Sequence, residues 1–222
     1  MIIKDLGLQA YLPTWEAMKS FTENRDALTE DEIWFVEHPP VYTQGRNGKP
    51  EHLLSTKNIP VIPVDRGGQV TYHGPGQLIM YLLINIRRLN KGIRFIVHAI
   101  EQAIQDTLTD YDLNTSLKAS APGVYIESKK IAQLGLRVKK FCTYHGLSLN
   151  IDMDLRPFQG INPCGYQNLE VVQLKDYIGP VSTIAIKTKL TQYVLKHLDY
   201  PEKMPELPWN LIEMSDKNNE QP

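Results

Sequence analysis

Cys164 lies in the tetrapeptide Asn162-Pro163-Cys164-Gly165, and upstream of it Lys130 heads the run Lys130-Ile131-Ala132-Gln133-Leu134-Gly135. A free thiol with a pKa near ~8.5 is only a few per cent thiolate at neutral pH, and the thiolate is the nucleophile. A nearby ammonium favours the thiolate, and lowering a thiol pKa by ~1.5 units takes only ~2 kcal/mol. The neutral amine of the same lysine can act as a base. Pro163 fixes the backbone before the thiol, and Gly165 lets a substrate carbonyl approach closely. The Gly165 N–H is a candidate donor to a tetrahedral oxyanion. An inert thiol in a turn accounts for the tetrapeptide equally well.

A second dense segment runs Arg66-Gly67-Gly68-Gln69-Val70-Thr71-Tyr72-His73-Gly74-Pro75-Gly76-Gln77. Its four glycines suit a backbone that approaches a ligand or turns with positive φ. It matches neither a phosphate-binding P-loop nor a dinucleotide fingerprint. Taken alone it reads as a strand-turn-strand hairpin. Thr143 to Asn150 alternates like a half-buried strand, placing His145, Leu147, Leu149 and Ile151 on one side; His145 there reads as a hydrogen-bonded core residue. Cys142 reads as a half-buried structural thiol. The six histidines show no metal-ligand spacing. Basic residues gather at Arg87, Arg88, Lys91 and Arg94, and again at Lys129, Arg137, Lys139 and Lys140; each is a solvated surface, or a patch that steers acidic protein partners.

Thr14 to about Leu28 has the pattern of a helix with Trp15 and Met18 on one face. Ile33–Val36 and Val61–Val64 read as strands, with loops between them at His38-Pro39-Pro40 and Gln44–Pro50. Val70–Tyr72 and Leu78–Ile86 read as strands, the second apolar enough to be buried on both faces. Arg94–Thr109 repeats apolar residues with helical period; Gly123–Ile126, Ile131–Val138 and Phe141–Ile151 read as strands. Ser182 is a plausible N-cap for a last helix carrying the stripe Ile186, Leu190, Val194, Leu198. Beyond Asp199 the prolines Pro201, Pro205 and Pro208 point to an extended tail, frayed after Met214. The order suggests one α/β (α+β) domain with a mixed sheet.

Hydrophobic content of 42% and charged content of 22% over 222 residues suit a globular protein with a sizeable core, one domain or one plus a fragment. A formal charge of −1 argues against a nucleic-acid binder. No stretch has the makeup of a signal peptide, and Leu78–Ile84, the longest apolar run, is too short to span a bilayer. Two cysteines make neither a disulfide framework nor a zinc site, which suits a reducing cytosol.

Four blocks taken together carry a resemblance: Glu37-His38-Pro39-Pro40-Val41-Tyr42-Thr43-Gln44-Gly45-Arg46, the Arg66–Gln77 block, Lys130–Gly135, and His145-Gly146-Leu147-Ser148-Leu149-Asn150 running on to Asn162-Pro163-Cys164-Gly165. In that order they resemble the octanoyltransferases of protein lipoylation, the lipoate-protein ligase B family, over roughly Glu32 to Thr183. The resemblance implies a mixed sheet flanked by helices, as in the catalytic domains of biotin and lipoate ligases, spanning 1–200 with a tail at 201–222. It implies that Cys164 is the acyl-accepting nucleophile and that Lys130 lowers its pKa and shuttles protons. Arg66, Gly67, Gly68, Gln69, Val70, Thr71, Tyr72 and His73 would line the acyl site with Gln133, Leu134, Gly135, Gly146, Leu147 and Ser148. One departure is Tyr166-Gln167-Asn168-Leu169, where members often carry a small residue.

The implied donor is octanoyl-acyl carrier protein, and the implied acceptors are lipoyl domains of 2-oxoacid dehydrogenases and the glycine cleavage H protein. No cofactor or metal is expected, since the acyl group arrives on phosphopantetheine; the expected compartment is the cytoplasm. Burying an eight-carbon chain supplies ~5 kcal/mol at ~0.8 kcal/mol per CH₂. The alternatives are an ATP-dependent lipoate or biotin ligase, an amidotransferase acting between lipoyl proteins, and a non-catalytic acyl-binding module.

Overall fold

The computed structural model describes residues 1–119, 121–200 and 207–208. In chain order it begins with β1 (Ile2–Leu8), α1 (Tyr11–Asn24), β2 (Glu32–Glu37), β3 (Val41–Gln44), β4 (Val61–Pro63), β5 (Val70–His73) and β6 (Gln77–Leu83). It continues with α2 (Ile86–Leu89), α3 (Ile93–Thr109), β7 (Ser116–Leu117), β8 (Val124–Ile126), β9 (Lys129–Lys139) and β10 (Cys142–Asn150). Short α4 (Lys175–Ile178) and long α5 (Thr183–His197) follow. The extended tail expected at 201–222 lies outside the described residues, except for Leu207 and Pro208.

A seven-stranded sheet has the order β1-β2-β6-β10-β9-β8-β7. It is mixed: β1 and β2 run parallel, and the other pairings are antiparallel. Strand β6 is buried at every position because both faces are covered. Leu78, Met80 and Leu82 join α3 and α5 in the main core, while Ile79, Tyr81 and Leu83 meet Met18 of α1 on the opposite face. Strand β2 splits the same way, with Ile33 and Phe35 on one side and Trp34 and Val36 on the other. The helical period read from the sequence puts Ile96, Ile100, Ala103, Ile104 and Leu108 of α3 into that core. Ser182 caps α5, its hydroxyl accepting from the Ala185 N–H at 3.3 Å.

A second, three-stranded sheet β4-β3-β5 corrects the hairpin expectation. Strands β5 and β6 do not pair; each belongs to a different sheet. Gly74-Pro75-Gly76 is the crossing between the two layers. Gly76 (φ +81°) gives its N–H to Glu37 Oε2 at 2.7 Å, and its carbonyl accepts from Ile151 and Asp152. A Cβ at Gly76 would lie 1.8 Å from the Asp152 carbonyl oxygen, so only glycine passes there.

Other differences have local causes. Strands β1 and β3 were not foreseen; β3 is four residues between Pro40 and Gly45, too short to show a period. Helix α1 starts one turn early and ends at Asn24, because Asp26 accepts from the Leu28 and Thr29 N–H groups and closes a turn. Strand β6 ends at Leu83 rather than Ile86, because the Asn85 side chain accepts from Arg87 N–H and starts α2. His145 takes φ +60°, which breaks the alternation. Its ring turns toward Trp15, Tyr81 and Tyr144 rather than joining Leu147 and Leu149. Cys142 is fully rather than half buried, and burial pushes its thiol pKa up.

Candidate active site

Strand β9 brings Lys130 to Cys164. Its side chain is 0% exposed, and Nζ lies 3.1 Å from Cys164 Sγ and 2.9 Å from the Pro122 carbonyl oxygen, which accepts from it. The same Nζ sits 5.3 Å from the Tyr125 ring centroid. Gly123 (φ +135°) makes the space, since a Cβ there would lie 2.9 Å from Lys130 Cε. Burial alone pulls the Lys130 pKa down, but the facing Cys164 and Tyr125 outweigh it and leave it raised. The group is therefore an ammonium.

Cys164 is half-buried and sits in the left-handed region at φ +56°, in a one-turn 3-10 helix from Pro163 to Gly165. A non-glycine residue held there costs roughly 1–3 kcal/mol, and the turn is fastened accordingly. Gly165 N–H donates to Asn162 O at 2.9 Å, and Tyr166 N–H donates to Pro163 O at 3.1 Å. Asn162 N–H in turn donates to His52 O at 2.9 Å. The Gly165 N–H is thus spent on the turn, which corrects its assignment as oxyanion donor. The glycine is still required, because a Cβ would meet Gln69 Cγ at 3.0 Å and His52 Nε2 at 3.2 Å. His52 escaped the sequence reading: nothing in its own neighbourhood signals that a backbone bridge will bring it to residue 162.

A cavity of about 360 Å³ opens beside Cys164, within the usual size of small-ligand sites. Its wall includes Arg66, Gly67, Gly68, Gln69, Val70, Thr71 and His73 from the glycine-rich block, Gln133, Leu134 and Gly135 from β9, and Gly146, Leu147 and Ser148 from β10. Tyr72 is absent from that wall. Strand alternation turns it the other way, onto Tyr42 and Phe158 in a separate apolar cluster. Tyr11, Asn47, Val97 and Pro122 line the cavity without having been foreseen. A second groove of about 380 Å³ lies past Ala121 and Tyr166, both of which line the two spaces, and is formed by Tyr125, Glu127–Lys129 and Gln167–Glu170.

The polar groups around the cavity are bonded to one another. Asp65 accepts from Trp15 Nε1 at 3.0 Å, from His145 Nε2 at 3.1 Å and from the Tyr144 hydroxyl. Burial pushes the Asp65 pKa up, but these donors outweigh it and hold the carboxyl well below the usual range. His145 is thus the hydrogen-bonded buried residue the sequence suggested. Burial pushes His73 down to about 3 and His38 down to about 4, so both are neutral near pH 7. Among the described residues no cluster of three or more His, Cys, Asp or Glu could hold a metal ion. The basic clusters are partly neutralised, Arg88 by Asp31, Lys91 by Asp199, Lys129 by Glu170 and Lys139 by Glu23.

A mixed sheet with helices against it, and a thiol beside a largely apolar cavity, are the features of the catalytic domain of a cofactor ligase or its transferase relatives. Solved structures of that class share the fold. A bi-partite lipoate protein ligase from Thermoplasma acidophilum has a TM-score of 0.65 at 13% identity, covering 89% of this chain and 83% of that one. Biotin protein ligase from Aquifex aeolicus, in complex with biotin and ATP, has a TM-score of 0.58 at 13% identity, covering 89% and 70%. The model of the lipoyl protein ligase A/B catalytic domain matches residues 10–195, and the chain belongs to that family. An octanoyltransferase from Pseudomonas entomophila (strain L48) is 54% identical over 201 residues, 90% of this chain and 94% of that one.

Proposed function

We propose that this chain moves an octanoyl group from octanoyl-acyl carrier protein to a lysine of a lipoyl domain through a thioester on Cys164. The chain is an acyltransferase of protein lipoylation, by its family and by the octanoyltransferases it matches; the donor, the intermediate and the acceptor atom are the proposal. The observation that carries it is the fully buried Lys130 Nζ at 3.1 Å from Cys164 Sγ, at the edge of an acyl-sized cavity.

The Cys164 thiolate attacks the thioester carbonyl, and the carbonyl-to-pantetheine C–S bond breaks. Acylated sulfur is neutral, so Lys130 loses the anion that held its proton. Burial then favours the free amine, and the proton passes to the departing thiolate. An acceptor lysine arriving as a free amine attacks the acyl-Cys164 carbonyl. Lys130 takes the proton lost by that nitrogen, and Cys164 leaves as thiolate beside a restored ammonium. Thioester to amide is downhill, so neither nucleotide nor cofactor enters. The acceptors are lipoyl domains of 2-oxoacid dehydrogenases and the glycine cleavage H protein, and the setting is the cytoplasm. Among the described residues no helix is long and apolar enough to cross a membrane.

Intact mass spectrometry tests this reading. Incubation with octanoyl-carrier protein, EDTA and no acceptor should add one octanoyl mass, labile to hydroxylamine, at Cys164. Label on Cys142, or a strict need for Mg-ATP, would overturn it.

A further inference from the structure

Arg66 is a buried cation on the wall of the acyl cavity, and among the described residues no carboxylate forms an ion pair with it. An apolar chain offers a guanidinium nothing. Cys164 lines the same cavity, and in the proposed transfer negative charge passes from its sulfur onto the substrate oxygen. A cation serves such a step only if its orientation is held in advance.

The hydrogen bonds around Arg66 run in one direction, and backbone carbonyls, which can only accept, decide which. Asn150 Nδ2 donates to Val172 O at 2.9 Å, so Asn150 Oδ1 is the acceptor for Gln77 Nε2, also at 2.9 Å. Gln77 Nε2 further donates to Tyr72 O at 3.2 Å, which leaves Gln77 Oε1 as an acceptor. His73 Nδ1, 2.7 Å from that oxygen, therefore carries the proton, and in the neutral ring Nε2 accepts. The Thr43 hydroxyl, 3.3 Å from Nε2, donates to it. Both lone pairs of Thr43 Oγ1 are then free for Arg66, which donates from Nη2 at 2.9 Å and Nε at 3.3 Å, with a third bond from Nη2 to Thr43 O at 2.7 Å.

We propose that His73 is the positioning residue of Arg66: its neutral, Nδ1-protonated imidazole turns the Thr43 hydroxyl so that both lone pairs hold the guanidinium toward the acyl cavity. Protonated, the ring would compete with Arg66 for the same hydroxyl and set two buried cations together. Burial does most to keep the ring neutral, and positive potential from neighbouring groups adds to it. Tyr11 of α1 stacks on it at 6.0 Å between ring centroids, His38 lies at 6.2 Å, and Arg66 and His145 add positive potential.

The inference rests on the octanoyl-transfer reading, and a double-mutant cycle separates the two. Single-turnover formation of octanoyl-Cys164 is followed by mass in the wild type, in Arg66→Lys, in His73→Leu and in the double variant. His73→Leu should slow acylation about tenfold or more. His73→Gln, whose amide can accept from Thr43 and donate to Gln77 without titrating, should restore it to within about threefold. In the Arg66→Lys background His73→Leu should cost little more, because residues acting through one another are non-additive. Thr43→Val runs the same cycle if His73→Leu fails to fold. Wild-type acylation with losses that multiply, or with the folded Gln variant as slow as Leu, would overturn the positioning role alone. No octanoyl adduct on the wild type would overturn the transfer reading first.

Discussion

Lys130 stays an ammonium in a fully buried place because Cys164 and Tyr125 outweigh the pull of burial, and in the proposed mechanism the same burial makes it release the proton once the sulfur is acylated. Charge and proton transfer can be separated by substitution. Lys130→Met removes both, so iodoacetamide should alkylate Cys164 more slowly near neutral pH, and octanoyl transfer should fall further still. Lys130→Arg keeps a cation that does not deprotonate; alkylation should stay near the wild-type rate while turnover drops about 10²-fold or more, the usual share of positioned acid–base groups. Near-normal turnover in Lys130→Arg would remove the proton shuttle from the mechanism. At this scale the pairing of Cys164 with Lys130 was legible, because the flanking proline and glycine and the family blocks mark both residues. The Gly165 N–H was misread because its use inside a four-residue turn is a matter of φ and ψ, which residue type alone leaves open.

Elements place these residues through two glycine-dependent close approaches. Gly123 floors the Lys130 side chain, and Gly76 turns the chain from the small sheet into the large one. The second makes a stability test. Gly76→Ala must carry a Cβ at φ +81° into the Asp152 carbonyl, which should cost about 2 kcal/mol or more. For a domain of this size that lowers the thermal midpoint by about 4–8 °C; an unchanged midpoint in calorimetry would mean the crossing can shift without cost. The helices and the long strands were readable as elements, since α3, α5 and β9–β10 are long enough to show their periods. The Gly74-Pro75-Gly76 turn was recognised as a turn but not as a crossing, because a hairpin and a sheet change use the same local residues. Tyr72 was misplaced for a related reason, its neighbours Thr71 and His73 lining the cavity while period two sends it to the far side.

Among the described residues burial lowers the pKa values of His38, His73 and His145 near α1, and the first two have no carboxylate partner. His38 is held between Gln9 O and the Tyr81 hydroxyl, and His73 between Thr43 and Gln77. Their pKa values, about 4 and about 3, lie below the value of ~6.5 expected in the unfolded chain. As pH falls through ~6.5 the unfolded chain takes up protons that the native state refuses. Stability is therefore full above that pH and declines on acidification until the folded values are reached. Each histidine should cost about 2 kcal/mol between pH 6.5 and pH 5, at ~1.4 kcal/mol per unit. Urea unfolding at pH 7, 6 and 5 checks this, and His73→Gln should flatten the dependence by about one proton. A wild-type stability that does not change over that range would show that these sites are wetter than their burial implies.

What the sequence determined by itself was whatever local pattern or residue chemistry encodes: the thiol with its lysine, the periods of the long elements, the both-face burial of β6, and the absence of a phosphate loop. Tertiary structure alone decided which strands share a sheet, where the Gly165 N–H is spent, that His52 stands beside Gly165, and that His73 reaches Arg66 through Thr43. Those contacts join residues far apart in the chain. Their geometry depends on layer packing and on hydrogen-bond direction, neither of which a residue's own neighbours specify.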